Sequence, residues 1–309
     1  MYIQKLDYFI VIAETGNLTK AAEILHVSQP SLSQYLKRLE NSLEVELFDR
    51  ATSPLKLTYA GEKYYAYAKD SHRREENIRK ELLDISGQVG GRLRLGVPLW
   101  RGSALLPHVF PAFHEKYPKI ALEVFEGRAD RLQKMLMNDG IDLAVMNLPR
   151  TINYDRLACE VFMEERIMLA MPVTHPEARP YLVATQDEDA HPEIPIDALK
   201  RVPLILTKPG QNLTYQITHI LEMNRIQPEI LLDTDNLTTA INLVAAQMGC
   251  AFVPGEGARI CKRPGKVAYC AITGSVVDCV WDLGVFYRKD AYLSKIARLF
   301  IDELHTLRF

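Results

Sequence analysis

Two short helical patterns pressed together in residues 17–40, NLTKAAEILHVSQPSLSQYLKRLE, limit what this chain can fold into more than any other stretch. Leu18, Ala21, Ala22 and Leu25 make one apolar stripe, and Leu32, Leu36, Leu39 and Leu43 make a second at i, i+4, i+7 and i+11. Only His26 to Ser28 lie between them, which allows an angled pair of helices and little else, so the stripes face each other as in a helix-turn-helix. At about 100° per residue, the side of the second helix opposite its leucines carries Pro30, Gln34, Lys37 and Asn41, with Ser33 and Arg38 on its flanks. A polar helix face is ordinarily just a solvated one. Here the preceding helix and turn hold it outward as a major-groove reader is held.

The neighbouring residues supply boundaries for this pair. A first helix from about Ile3 to Glu14 buries Leu6, Phe9, Ile10 and Ala13 and ends at Gly16, a residue suited to the left-handed position after a helix. Asn17 and Ser28 are placed to cap the two motif helices, and Pro30 is tolerated because first-turn amides have no partner inside the helix. VELFDRATSPLKL (45–57) reads as a hairpin or wing around a Thr-Ser-Pro tip. From Thr58 to Ile85 one long helix follows, with Tyr64, Ala68, Ser71, Glu75, Ile78, Leu82 and Ile85 at alternating spacings of four and three. This seam fits docking on a symmetry mate or on the helix's own domain. The first is expected, because helix-turn-helix readers work as pairs on two half-sites.

Charge does not by itself point to nucleic acid. The formal net charge is −2, and residues 1–60 hold six Lys or Arg against seven Asp or Glu. DNA contact must rest on local placement, with Lys20, Lys37, Arg38, Arg50 and Lys56 set apart from Asp7, Glu14 and Glu23. Hydrophobic content of 48% and charged content of 25% fit globular domains, and 309 residues allow two or three of them. No apolar run approaches the roughly 20 residues of a membrane span, and the start lacks the features of a signal peptide, so a cytoplasmic protein with no membrane partner is expected. Cys159, Cys250, Cys261, Cys270 and Cys279 contain no CxxC, which suggests neither a disulfide framework nor a metal site.

Gly87, Gly90 and Gly91 mark a boundary beyond which the pattern changes to α/β. RLRLGV (92–97), IALEVFE (120–126) and IDLAVM (141–146) are short strands separated by helical stretches Ser103 to Lys116 and Arg128 to Asn138. A second such unit has strands near 160–171, 202–206, 229–233 and 250–253 and helices near 212–225 and 236–248. The chain returns through VWDLGVFYRK to a final amphipathic helix, Tyr292 to Leu307. Two α/β lobes result. The Pro- and acid-rich stretch 174–195 reads as a surface excursion, either decoration or a lid.

These residues resemble the LysR-type transcriptional regulators of bacteria along essentially the whole chain. Leu6-x-x-Phe9, Ala21-Ala22-x-x-Leu25, Val27-Ser28-Gln29-Pro30-Ser31-Leu32-Ser33, Leu39-Glu40, Leu47-Phe48-x-Arg50 and Leu57-Thr58-x-x-Gly61 stand at the family spacing. The resemblance implies an all-α winged helix-turn-helix domain over 1–58, a linker and dimerisation helix over 59–87, and a two-lobed effector domain over 91–309. That domain would resemble type II periplasmic binding proteins, with lobe I at about 91–160 and 269–309 and lobe II at about 161–268. It further implies that Gln29, Pro30, Ser33 and Gln34 approach base edges of double-stranded operator DNA, with Thr19, Lys20, Lys37, Arg50, Lys56 and Thr58 near the backbone. The implied assembly is a homodimer through the linker helix and a homotetramer beyond it. Three positions depart from the family pattern. Glu44 stands where Gly is usual, so a side chain must make the tight turn there; Asn17 replaces Ser; and Ser53-Pro54 replaces a basic wing tip, for which Lys56 can substitute.

In a two-lobed α/β domain a ligand belongs at the strand ends, where helix N-termini supply free amides. Those ends offer Trp100, Arg101 and Ser103 after the first strand, Gly127 and Arg128 after the second, and Asn147 after the third. The second lobe adds Thr207, Lys208, Asn236, Thr238 and Pro254. Ser103 is placed to cap a helix and turn its hydroxyl to the cleft, and Arg101, Arg128 and Lys208 form a basic side suited to a carboxylate-bearing effector. Trp100 offers a stacking surface. An enzyme is not expected, since GxSxG, GxGxxG, P-loop and HExxH patterns are missing and no catalytic residue or cofactor is indicated. The alternative control is cysteine oxidation: Cys261, Cys270 and Cys279 are evenly spaced, and Cys261 stands beside Lys262 and Arg263.

Overall fold

Helices α1 (Leu6–Thr15), α2 (Leu18–Ile24) and α3 (Gln29–Leu43) form at the positions the stripes require, each bounded by local chemistry. Gly16 takes φ +59 between α1 and α2, Asn17 Oδ1 accepts from the Thr19 and Lys20 amides at 2.9 and 3.1 Å, and Ser28 Oγ accepts from the Ser31 amide. The computed structural model describes residues 6–307 except 53, 88–89, 150–151, 153, 183–190, 256–260 and 262, and the chain divides into two compact units, 1–87 and 88–309. The expected wing-tip residue Ser53, the basic neighbour Lys262 and the middle of the 174–195 excursion therefore lie outside the described residues.

The first unit closes on Phe9, Ile12, Leu32, Leu36, Leu39 and Phe48, with a two-stranded wing of β1 (Phe48–Asp49) and β2 (Lys56–Leu57). Leu43 does not complete the second stripe as expected. It is exposed, because the helix ends there and the chain turns at Glu44 with φ 54 and ψ 30. Helix α4 (Tyr59–Ile85) splits the expected seam in two. Ala68 is buried in the unit's own core, and Tyr64 packs edge-on against Phe9 at 4.8 Å between ring centroids. Ile78, Leu82 and Ile85, further along, are exposed.

In the second unit, β3 (Gly91–Val97) lies between β4 (Ile120–Glu126) and β5 (Leu143–Asn147), all parallel, with α5 (Leu99–Lys116) and α6 (Ala129–Met137) as crossovers. Strand β6 (Leu157–Pro172) then runs antiparallel through both lobes. The short helix α7 (Arg179–Leu182) and strand β7 (Glu193–Pro195) bracket the excursion, whose flanks belong to the lobe II core through the buried Ala178 and Ile194. Strands β8 (Leu204–Thr207), β9 (Ile230–Thr234) and β10 (Cys250–Pro254) are parallel in the order β10-β8-β9, joined by α8 (Asn212–Met223) and α9 (Leu237–Ala245).

Strand β11 (Val267–Thr273) pairs with the end of β6, β12 (Val280–Arg288) pairs with β6 and β5, and α10 (Lys295–Thr306) closes lobe I. The partners of β6 change from β12 to β10 and β11 at Arg166/Ile167, and β11 belongs to lobe II. Both crossings thus fall later in the chain than the expected 160/161 and 268/269. One continuous strand in two sheets carries no turn signal at the point where it changes partners.

Candidate functional site

Burial of Leu32, Leu36 and Leu39 turns the opposite side of α3 to solvent, leaving Gln29, Pro30, Gln34 and Lys37 exposed and Ser33 half-buried at the edge. Thr19, Lys20 and Lys56 are exposed as well. Two residues expected near a DNA backbone are engaged inside the unit. Thr58 Oγ1 donates to the Glu46 carbonyl at 2.7 Å and accepts from the Gly61 amide at 3.0 Å, capping α4. Arg50 donates to Glu40 Oε2 at 2.6 Å. Glu40 itself is buried, and its Oε1 accepts from the backbone amides of Leu47 and Phe48. Sequence reading assigned Glu40 no role, although the helical period places it one turn beyond Leu36 on the buried side.

The second unit holds a cavity of about 390 Å3 where the N-terminal turns of α5, α6, α8 and α9 meet the ends of β5, β8 and β10. Trp100, Arg101, Gly127, Arg128, Asn147, Thr207, Asn236 and Pro254 line it; Ser103, Lys208 and Thr238 do not. Ser103 fails as a cap because α5 begins four residues earlier, at Leu99 behind Pro98. Its hydroxyl donates back to the Trp100 carbonyl at 2.7 Å. Lys208 is turned to Asp235 at 2.9 Å, a hydrogen bond that holds the Asp235 carboxyl below the usual carboxylate range, helped by the Arg128 charge. Thr238 contributes its amide to the Asn236 cap at 2.9 Å.

Arg101 is the largest correction. It is a helical residue with 2% exposure, ion-paired through both terminal nitrogens with Glu165, whose Oε1 also accepts from Asn147 Nδ2 and Trp281 Nε1 at 3.0 Å each. Its charge is neutralised in the wall, so the expected basic side reduces to Arg128. The Arg101 Nε–H is buried without a partner among the described residues. Gln211, Asn212 and Asp235, on the strand-end loops that also carry Thr207 and Asn236, line the cavity too, and Glu126 and Trp281 line it without having been expected as site residues. For Glu165 and Trp281 no sequence signal existed, since they meet Arg101 only once β6 and β12 pair. Asn236 caps α9, whereas Pro98, Arg128 and Gln211 supply no side-chain cap to α5, α6 and α8. Three uncapped helix starts therefore meet at one cavity, a field that favours a negative group.

Residues 3–62 match the family described as bacterial regulatory helix-turn-helix protein, lysR family, and residues 86–308 match the LysR substrate binding domain. The chain belongs to the LysR family of transcriptional regulators. The uncharacterized HTH-type transcriptional regulator YcgK of Bacillus subtilis (strain 168) is 31% identical over 309 residues, spanning 98% of this chain and 93% of the relative. A hydrogen-peroxide-bound OxyR mutant of Corynebacterium glutamicum is 27% identical over 98% of this chain and 91% of that one, with a TM-score of 0.61. A full-length OxyR variant of Pseudomonas aeruginosa shares the fold with a TM-score of 0.72 at 22% identity, covering 100% and 99% of the two chains. This LysR-type chain is thus a DNA-binding regulator whose helix-turn-helix lies in the first unit and whose two-lobed domain forms the second.

The thiols of the LysR-type effector domain are set mostly for packing. Burial pushes Cys250 and Cys270 up to about 12 and Cys159 up to about 11, and it raises Cys279 as well. Cys279 immediately precedes β12 and is half-buried. Among the described residues no cluster of His, Cys, Asp and Glu is arranged to hold a metal ion, and no helix is long and apolar enough to cross a membrane.

Proposed function

We propose that this regulator binds operator DNA through α3 and changes its grip when a small molecule occupies the cavity between the lobes. Gln29, Pro30, Ser33 and Gln34 approach base edges, Gln34 pairing with adenine and Pro30 packing on a thymine methyl. Thr19, Lys20, Lys37 and Lys56 sit near phosphates, while Arg50 and Thr58 act mainly by fixing the wing and the start of α4. The observation that carries this reading is the exposed Gln29-Pro30-Gln34-Lys37 face above three buried leucines. Two copies joined along the far half of α4 present two such faces, and pairs of these dimers form the tetramer.

On the effector side, the uncapped starts of α5, α6 and α8 favour a ligand bearing a negative group. Quantitative gel shifts test the division of labour at DNA. Gln34→Ala is expected to cost about 1–3 kcal/mol on the operator and little on random DNA, whereas Lys20→Ala weakens both alike. Equal losses for both variants on both DNAs would sink it.

A further inference from the structure

Most polar side chains of the cavity are committed to one another. Asn147 accepts from Arg101 and donates to Glu165, Thr207 bonds with Thr214, Asn236 caps α9, and Trp281 donates to Glu165. Two charges from one short connection, the β4–α6 turn, stand apart from this. Glu126 has no ion-pair or hydrogen-bond partner among the described residues, although it lines the cavity. Its carboxylate lies against the first turn of α5 at Gly102, where an added Cβ would come within 2.9 Å of Oε1. Arg128, two residues on, has Asp130 as its one ion-pair partner among the described residues, through Nε at 3.4 Å, and reaches across to lobe II, where a Cβ on Gly210 would collide with its guanidinium. Gly210 immediately precedes Gln211, the residue at the uncapped start of α8. Glu126 and Arg128 form no ion pair with each other.

We infer that the effector is a zwitterion, an amino acid with an apolar side chain: its ammonium group sits on Glu126 and its carboxylate between Arg128 and the start of α8. This rests on the cavity being the effector site. An acid without an amino group would satisfy Arg128 and the start of α8 but leave the Glu126 carboxylate unpaired beside an anion; an amine without a carboxylate would satisfy Glu126 but bring no anion to the uncapped start of α8 or to the Arg128 terminal nitrogens, which the Asp130 contact through Nε leaves open. The rest of the wall, Leu99, Trp100, Leu213, Leu237 and Pro254, is apolar and suits an aliphatic or aromatic side group. The volume of about 390 Å3 falls in the range of roughly 300–1,000 Å3 typical of small-molecule pockets.

The test is calorimetric titration of the full-length protein with three matched sets: L-tryptophan, L-phenylalanine and L-leucine; 3-indolepropionate, 3-phenylpropionate and 4-methylpentanoate; tryptamine, phenethylamine and 3-methylbutylamine. At least one amino acid is expected to bind about tenfold or more tighter than its counterparts lacking the amino or the carboxyl group, the difference made by one charge-assisted contact. Glu126→Gln is expected to bring that amino acid within about threefold of its des-amino counterpart while circular dichroism stays unchanged. A des-amino acid or an amine binding as tightly as its amino acid, or no binding from any set, overturns the zwitterion. Trp100→Ala separates the two readings, since it weakens every cavity ligand whatever its charge. Ligands bound as tightly by Trp100→Ala as by the wild type would remove the cavity reading itself.

Discussion

Glu40 and Arg50 tie helix α3 to the wing: the Glu40 carboxylate, 6% exposed near the end of α3, takes Arg50 on one oxygen and the Leu47 and Phe48 amides on the other. The two partners contribute unequally. Arg50 is 57% exposed, so its pairing is screened, and Arg50→Ala is expected to cost less than about 1 kcal/mol. Glu40→Ala leaves two amides without an acceptor and is expected to cost about 1–3 kcal/mol. Urea unfolding of both variants, followed by far-UV circular dichroism, checks the order. A larger loss for Arg50→Ala would mean that the amides, not the ion pair, are incidental.

Glu44 makes the turn after α3 in the left-handed region, at φ 54, while its side chain is exposed. A Gly there removes roughly 1 kcal/mol of backbone strain and adds a few tenths of freedom to the unfolded chain. Glu44→Gly is therefore expected to stabilise the first unit by about half a kcal/mol and to raise its midpoint by roughly 2–4 °C in a thermal melt. An unchanged or lower midpoint would show that the Glu44 side chain contributes something its exposure hides.

The local parts of this architecture were legible because they are local. Asn17, Ser28 and Gly16 act within a few residues of themselves, and the leucine stripes need only the helical period. The cavity was legible in outline for a similar reason, since strand ends and helix starts follow from the βα alternation and eight of the eleven expected residues fall there. Individual side chains were not. Whether Arg101 is a free cation depends on Glu165, 64 residues away on a strand whose pairing no periodicity reveals, and whether Lys208 faces the cavity depends on Asp235. The seam of α4 was half misread because a heptad records which face is apolar, not which neighbour covers it.

The pair Arg101 and Glu165 gives the second unit its most sensitive contact. Glu165→Ala strands a buried guanidinium, the Asn147 amide and the Trp281 indole together, and breaking a buried pair on one side costs about 3–5 kcal/mol. The variant is expected to unfold its effector unit well before its DNA-binding unit, with a Trp281 emission shift that leads the loss of helix. Coincident transitions at the wild-type midpoint would show the network to be dispensable.

Control by thiol oxidation is tested by reactivity. With Cys250 and Cys270 pushed up to about 12, the thiolate fraction at pH 8 is on the order of one in ten thousand, and the thiolate is the reacting form. Both are expected to resist iodoacetamide in the native protein and to react once it is unfolded, as peptide mass mapping would read. Peroxide at concentrations that leave the fold intact should then leave operator affinity unchanged. A peroxide-dependent change in affinity abolished by Cys261→Ser would instead place redox control at that half-buried residue.

Among the described residues, helix α4 joins the apolar core of its own unit through its first half, so the apolar residues of its second half measure assembly without disturbing that core. Ile78, Leu82 and Ile85 are 54%, 58% and 74% exposed, and they continue the spacing begun by Tyr64 and Ala68. Burying such a side chain against a partner contributes about 1.5–3 kcal/mol, and each substitution acts on both copies of a symmetric pair. Ile78→Glu with Leu82→Glu is therefore expected to raise the dimer dissociation constant at least a hundredfold in sedimentation, on the order of 3 kcal/mol. Circular dichroism should stay unchanged, because neither residue belongs to the core of Phe9, Leu36 and Ala68. Operator affinity should fall with dimer dissociation, since one near-neutral reading unit binds weakly alone. If the doubly charged variant remains dimeric at micromolar concentration, the pairing surface lies elsewhere and the exposed half of α4 answers to another partner.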